Sequence, residues 1–161
     1  MSADITLDAI DIRILTELQK NGRATITDLA ERAGLSPSPC LRRVKLLEER
    51  GVISGYVAVV DQNIVGLAVN VFASIRLERQ REEELERFSQ AVSQWPEVME
   101  CYLMTGTRDY LMRIVVGSLA DYERFIKDKL SRLEGVASIE SSFALSRVKH
   151  TTIVPVSTGR K

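Results

Sequence analysis

Residues 34–56 read GLSPSPCLRRVKLLEERGVISGY. Two prolines stand directly before a basic, leucine-rich run, although proline ordinarily breaks a helix. The contradiction disappears at a helix start. N–H groups of the first turn have no partner inside the helix, so a missing donor costs nothing there and the fixed φ suits entry. The spacing predicts Ser36 as N-cap, Pro37 as the first helical residue, Pro39 inside the first turn and Gly51 as the stop. At about 100° per residue, Cys40, Leu41, Val44 and Leu47 share one face, with Ser38, Arg42 and Lys45 opposite.

Two helices precede this one. LDAIDIRILTELQK (7–20) puts Leu7, Ile10, Ile14, Leu15 and Leu18 near one face and stops at Asn21-Gly22. TITDLAERAG (25–34) opens with Thr25 and Asp28 in capping-box spacing and closes at Gly34. After Gly51, VISGYVAVVD alternates around Gly55 and predicts a two-stranded ribbon. Three helices and a ribbon make a winged helix-turn-helix, expected over residues 1–60, with DQNIVGL (61–67) as a linker.

The period then changes. VNVFASIRL (69–77) predicts a strand and EEELERFSQAVSQW (82–95) a helix. VMECYLMTG and YLMRIVVG predict two strands, LADYERFIKDKLSRLEG a helix capped by Ser118 and Asp121, and ASIESSFALSRVKHT a last strand. The order βαββαβ is ferredoxin-like, expected over 68–154, with 155–161 as a flexible tail. The fold class is therefore α+β. Both helices cover one sheet face, and a second copy is the expected cover for the other, giving at least a dimer.

Composition narrows the function. The 161 residues are 45% apolar with 22 basic and 22 acidic side chains, so overall charge indicates no nucleic-acid partner. A local patch does: between Arg32 and Leu47 stand Arg32, Arg42, Arg43 and Lys45, and no acid. A major groove admits such a helix, arginine can bond two guanine acceptors, and a helix N-terminus or serine can hold phosphate. Ser36 and Ser38 are expected near the DNA backbone or base edges, and Arg42 and Lys45 toward base edges. Arg43 reaches either phosphate or an acid elsewhere on the protein. Cys40 and Cys101 are far apart, expected as reduced, buried thiols, and no metal or cofactor is expected. No apolar run approaches the roughly 18 residues of a membrane span. The chain is expected to be cytoplasmic, without a membrane partner. His150 is the single histidine, and no phosphate loop or zinc-hydrolase motif occurs, so an enzyme is not expected.

Gly34-Leu35-Ser36, Arg43-Val44-Lys45-Leu46-Leu47-Glu48 and Gly51-Val52-Ile53-Ser54-Gly55-Tyr56 closely resemble the signature of the Lrp/AsnC, or feast/famine, transcription regulators. The likeness continues through WPEVMECYLMTG, RDYLMRI and LEGVASIESSFALSRVKHTT, from about Leu7 to Thr152. It implies sequence-specific binding of double-stranded DNA, assembly as dimers, tetramers or octamers, and a small effector, usually an amino acid, controlling genes of amino-acid metabolism or transport. An effector-free nucleoid-associated protein and a metabolite-sensing assembly module are the alternatives.

The resemblance also implies an effector site at the turn Met104-Thr105-Gly106-Thr107-Arg108-Asp109-Tyr110, with Ser142 on the last strand. Asp109 can accept an α-amino group, while the glycine turn with Thr105 or Thr107 can hold an α-carboxylate and Met104 can line a pocket. Many relatives carry an acid after the glycine, where this chain has Thr107 and then Arg108. That departure disfavours a basic ligand and leaves a neutral one, or an acidic one paired with Arg108. The purely structural alternative is a hairpin connection in which Gly106 supplies positive φ and Asp109 caps the turn.

Overall fold

The computed structural model describes residues 6–157, which fall into two compact units. One runs to Val59 and takes in the segment from Lys149 onward; the other is Val60–Val148. The sequence boundary at 154 thus differs from the spatial grouping, because residues 149–157 lie with the first unit. Residues 158–161 of the expected tail lie outside the described residues.

In the first unit, α1 (Ala9–Lys20), α2 (Ile26–Ala33) and α3 (Pro37–Glu49) bury Ile14, Leu15, Leu29, Ala30, Cys40, Val44 and Leu47 in one core. Burying each of the leucine, isoleucine and valine side chains among them contributes about 1.5–3 kcal/mol. Asp8 caps α1 in a capping box with Asp11, and Thr25 does the same with Asp28 for α2. Gly34 ends α2 at φ 73°, a left-handed conformation that lets Ser36 cap α3 two residues later.

The expected ribbon after Gly51 is not formed. Residues 52–60 contain no strand, and Gly55 does not take the positive φ that a tight hairpin reversal needs. Tyr56–Val60 therefore form no regular element and are exposed. Residues 61–67, read as a linker, form a hydrogen-bonded turn in which Leu67 N donates to Gln62 O at 2.7 Å.

In the second unit β1 (Val69–Leu77), α4 (Glu82–Ser93), β2 (Val98–Leu103), β3 (Tyr110–Val116), α5 (Leu119–Asp128) and β4 (Val136–Phe143) follow in order. All neighbours in the sheet, β2-β3-β1-β4, are antiparallel. Val71, Ala73, Ile75 and Leu77 alternate toward Phe88 and Val92 of α4 and Tyr122 and Phe125 of α5. Phe72 and Asn70 point to the uncovered face, beside the ion pair of Arg113 with Glu100.

Three sequence expectations change here. α5 stops at Asp128, and a tighter turn at Leu130–Arg132 carries Leu130 fully into the core. β4 ends at Phe143 because its last register partner on β1 is Val71. Cys40 is buried as expected, but Cys101 is exposed, since β2 is an edge strand with no neighbour beyond it. No helix among the described residues is long and apolar enough to cross a membrane.

Candidate functional site

α3 separates its charges by destination. Ser36 is the N-cap, yet its side chain makes no capping hydrogen bond, so the prolines and the Gly34 turn open the helix and the hydroxyl stays on the surface. Ser38, Arg42 and Lys45 are also exposed, and among the described residues neither Arg42 nor Lys45 enters an ion pair. Arg43 has the other fate. Its Nη1 donates to Asp8 Oδ2 and to Asp11 Oδ1, both at 2.7 Å, which ties α3 to the start of α1. Arg32 is likewise held by Glu17 of α1. Of the four basic residues in the patch, Arg43 and the still exposed Arg32 are paired with acids of α1, while Arg42 and Lys45 face solvent without an ion pair among the described residues.

The electrostatics follow this wiring. The Asp11 N–H first, then the Arg43 guanidinium, hold the Asp8 carboxyl below its ordinary value. Its hydrogen bonds to Asp11 and then to Asp8 raise Arg43 in return. Tyr56, following the α3 stop, donates its hydroxyl to Glu48 at 2.9 Å. Partial desolvation of the hydroxyl, with Glu48 as the lesser cause, pushes that phenol up to about 12.

The second candidate, the connection between β2 and β3, is divided between solvent and core. Met104, Thr105, Gly106 and Thr107 are exposed, and Gly106 takes φ 111°. A Cβ there would be strained whatever the space around it. Asp109 is only 6% exposed: Leu77 N donates to its Oδ2 and Gln80 Nε2 to its Oδ1, both at 2.7 Å. Its carboxylate thus secures the end of β1, where the β1–β4 register shifts between Arg76 and Leu77. The expected place for an α-amino group is occupied from within the protein. Tyr110 also turns inward, stacking on Phe88 with centroids 4.3 Å apart and donating to Leu85 O at 3.1 Å.

Arg108 crosses to β4, where it donates to Ser138 Oγ at 3.1 Å and pairs with Glu140. The cation that distinguishes this turn is already balanced. Ser142 is exposed but lies beside Phe72, whose other partner Arg113 is three residues along β3 from Tyr110. One protomer therefore does not bring Ser142 to the turn. Glu140, Ser138, Leu77 and Gln80 were missed by sequence reasoning because they stand about 30 positions from their partners. Register pairing of β1 with β3 and β4 was the signal that could have found them. No group of three or more histidine, cysteine or carboxylate side chains among the described residues could hold a metal.

With this geometry in view, likeness to known proteins covers both units. Residues 7–54 match a winged helix-turn-helix DNA-binding family and residues 70–154 the Lrp/AsnC ligand binding domain. The Bkd operon transcriptional regulator of Pseudomonas aeruginosa is 43% identical over 150 residues, 93% of this chain and 98% of that protein. A glutamate uptake regulatory protein of Zymomonas mobilis is 39% identical over 93% of this chain and 91% of its own. A transcriptional regulator from Neisseria meningitidis, solved with L-methionine, superposes with a TM-score of 0.89 at 41% identity, covering 93% of this chain and 97% of that one.

Proposed function

The chain belongs to the Lrp/AsnC family of DNA-binding transcription regulators, and from that premise we propose how its residues work. α3 enters the major groove with Arg42 and Lys45 toward base edges and with Ser36 and Ser38 near the strand they cross. Arg43 serves from within, holding α3 at a set angle to α1. The observation that carries this reading is the partition of the basic patch: Arg43 and Arg32 are paired with α1 acids, while the exposed Arg42 and Lys45 enter no ion pair among the described residues.

The effector is an amino acid, bound at the exposed part of the turn formed by Met104, Thr105, Gly106 and Thr107. Because Asp109 is engaged by β1 and Arg108 by Glu140, the turn's exposed donors are backbone N–H groups and threonine hydroxyls, which suit a neutral ligand. Relatives named for leucine and for glutamate uptake, and the methionine-bound neighbour, support the ligand class. A second copy covers the uncovered sheet face, where Phe72 and Tyr102 are exposed, and could bring its own Ser142 near the site. The protein acts in the cytoplasm as a regulator of amino-acid metabolism or transport genes, not as an enzyme.

Two measurements test this. Selection from a random duplex pool should converge on one motif; a pool that stays random points instead to an architectural DNA-binding protein. A thermal-shift screen against the twenty amino acids should single out one chemical group, since ligand at 100 times its Kd adds about 2.7 kcal/mol. A flat screen would remove the amino-acid effector.

A further inference from the structure

The first unit takes its net charge from the far end of the chain. Residues 1–59 hold eight Lys or Arg and eight Asp or Glu, so the three helices and their turns are neutral in sum. Residues 60–148 hold 11 basic and 14 acidic side chains and are negative. After Glu140 no acid occurs, whereas Arg147, Lys149, Arg160 and Lys161 do. Three of those four stand at or after Lys149, where the chain rejoins the first unit. A unit that binds a polyanion is thus neutral over its helices, and the returning segment makes it positive.

The segment is seated on that unit. Val154 is bonded twice to the Gln19 amide in the last turn of α1, and Val156 packs against the core. Lys149 stands five residues before this anchor and so stays within roughly 18 Å of it. An anchored cation has already lost part of the conformational freedom that binding would cost it. Lys149, His150, Thr151 and Thr152 are all exposed. Among the described residues neither Lys149 nor His150 has a hydrogen-bond or ion-pair partner. Thr151 Oγ1 accepts from Ile153 N at 3.1 Å and keeps its own hydrogen to donate.

No acid of the helix beneath is free to draw Lys149 in. Asp8 and Asp11 are held by Arg43, and Glu17 by Lys20 and Arg32. An ammonium, an imidazole and a hydroxyl with no carboxylate beside them form a set of donors, and a phosphate oxygen is its complement.

We propose that the returning segment is a second DNA contact of the first unit, in which Lys149, with His150 and the Thr151 hydroxyl, holds a backbone phosphate of the duplex whatever the base sequence. This contact rests on the chain's DNA-binding family; it does not depend on Arg42 and Lys45 reading base edges.

Anisotropy titration of the full chain against a random-sequence duplex, between about 50 and 200 mM salt, tests it. Lys149→Gln, at an exposed and unpaired position with little folding cost, lowers the slope of log affinity against log salt by about 0.9. Over that range the parent therefore loses about 3.5-fold more affinity than the variant. Lys149→Arg keeps the parental slope, and in both variants the preference for a selected over a random duplex is unchanged. A parental slope in Lys149→Gln overturns the proposal, and so does a changed preference, which would put the segment on base edges. A reduced slope accompanied by a lower mass in light scattering assigns Lys149 to contact between copies of the chain and also overturns it. If Arg42→Ala leaves binding of the selected duplex unchanged while Lys149→Gln lowers the slope, the base-edge assignment falls and this contact stands. A parent that binds no duplex, or whose binding ignores salt, overturns both.

Discussion

Gln19 and Val154 bond each other twice across 135 residues of sequence: Val154 N donates to Gln19 Oε1 at 2.7 Å, and Gln19 Nε2 donates to Val154 O at 3.2 Å. The amide imitates a strand partner for the segment that follows the second unit, and Val156 then packs against the first unit's core. Gln19→Ala removes both bonds at a partly exposed position where water can replace them. It should cost the first unit about 0.5–1.5 kcal/mol, read from urea midpoints. A variant as stable as the parent would mean that Val156 alone holds the segment.

Asp109 should behave as a structural residue. Asp109→Ala strands the Leu77 N–H inside the protein, an omission that costs about 1–3 kcal/mol. The second unit should therefore melt earlier even with no effector present. Asp109→Asn keeps an acceptor for Leu77 and should recover most of the loss. If Asp109→Ala instead melts like the parent and only loses its amino-acid response, the carboxylate is a ligand contact after all.

Arg42 and Arg43 are neighbours in sequence with opposite assignments, and salt dependence separates them. Arg42→Ala should weaken operator binding by about 1–3 kcal/mol and blur preference at one base position. Arg43→Gln should leave the slope of affinity against salt unchanged, because no phosphate contact is lost, whereas each lost contact lowers it by about 0.9. A reduced slope in Arg43→Gln would place that guanidinium on the DNA.

Acid should uncouple α3 from α1. The Asp8 carboxyl lies below its ordinary value in the folded protein, so the unfolded chain binds its proton more readily and stability rises with pH through this range. The Arg43–Asp8 contribution is complete above the ordinary aspartate value of about 3.9 and disappears as pH falls through the folded value. Urea midpoints of the parent and Arg43→Gln should differ near neutrality and converge only as pH falls below about 3.9. A gap that persists at low pH would assign it to packing of the Arg43 stem.

Much of the candidate site was legible from the chain because its signals are local. Ser36, Pro37 and Gly34 define the start of α3 within four residues, and the 3.6-residue period then divides Cys40, Val44 and Leu47 from Ser38, Arg42 and Lys45. The ribbon at Gly55 failed for the converse reason. Alternation around a glycine is compatible with a hairpin, but only a positive φ would have reversed the chain there.

The sequence by itself determined the helices, the four strands of the second unit, their order and the family, since caps, periods and turn residues act over a few positions and each agrees with its neighbours. What the tertiary structure decided was the destination of each charge. Arg43 turned to Asp8 and Asp11, Arg108 to Glu140, and Asp109 to Leu77 and Gln80, all across roughly 30 residues. A guanidinium or a carboxylate reads the same in sequence whether it meets solvent, ligand or protein. Burial decides, because a charge taken out of water must find a partner, and the fold brings the partner within reach.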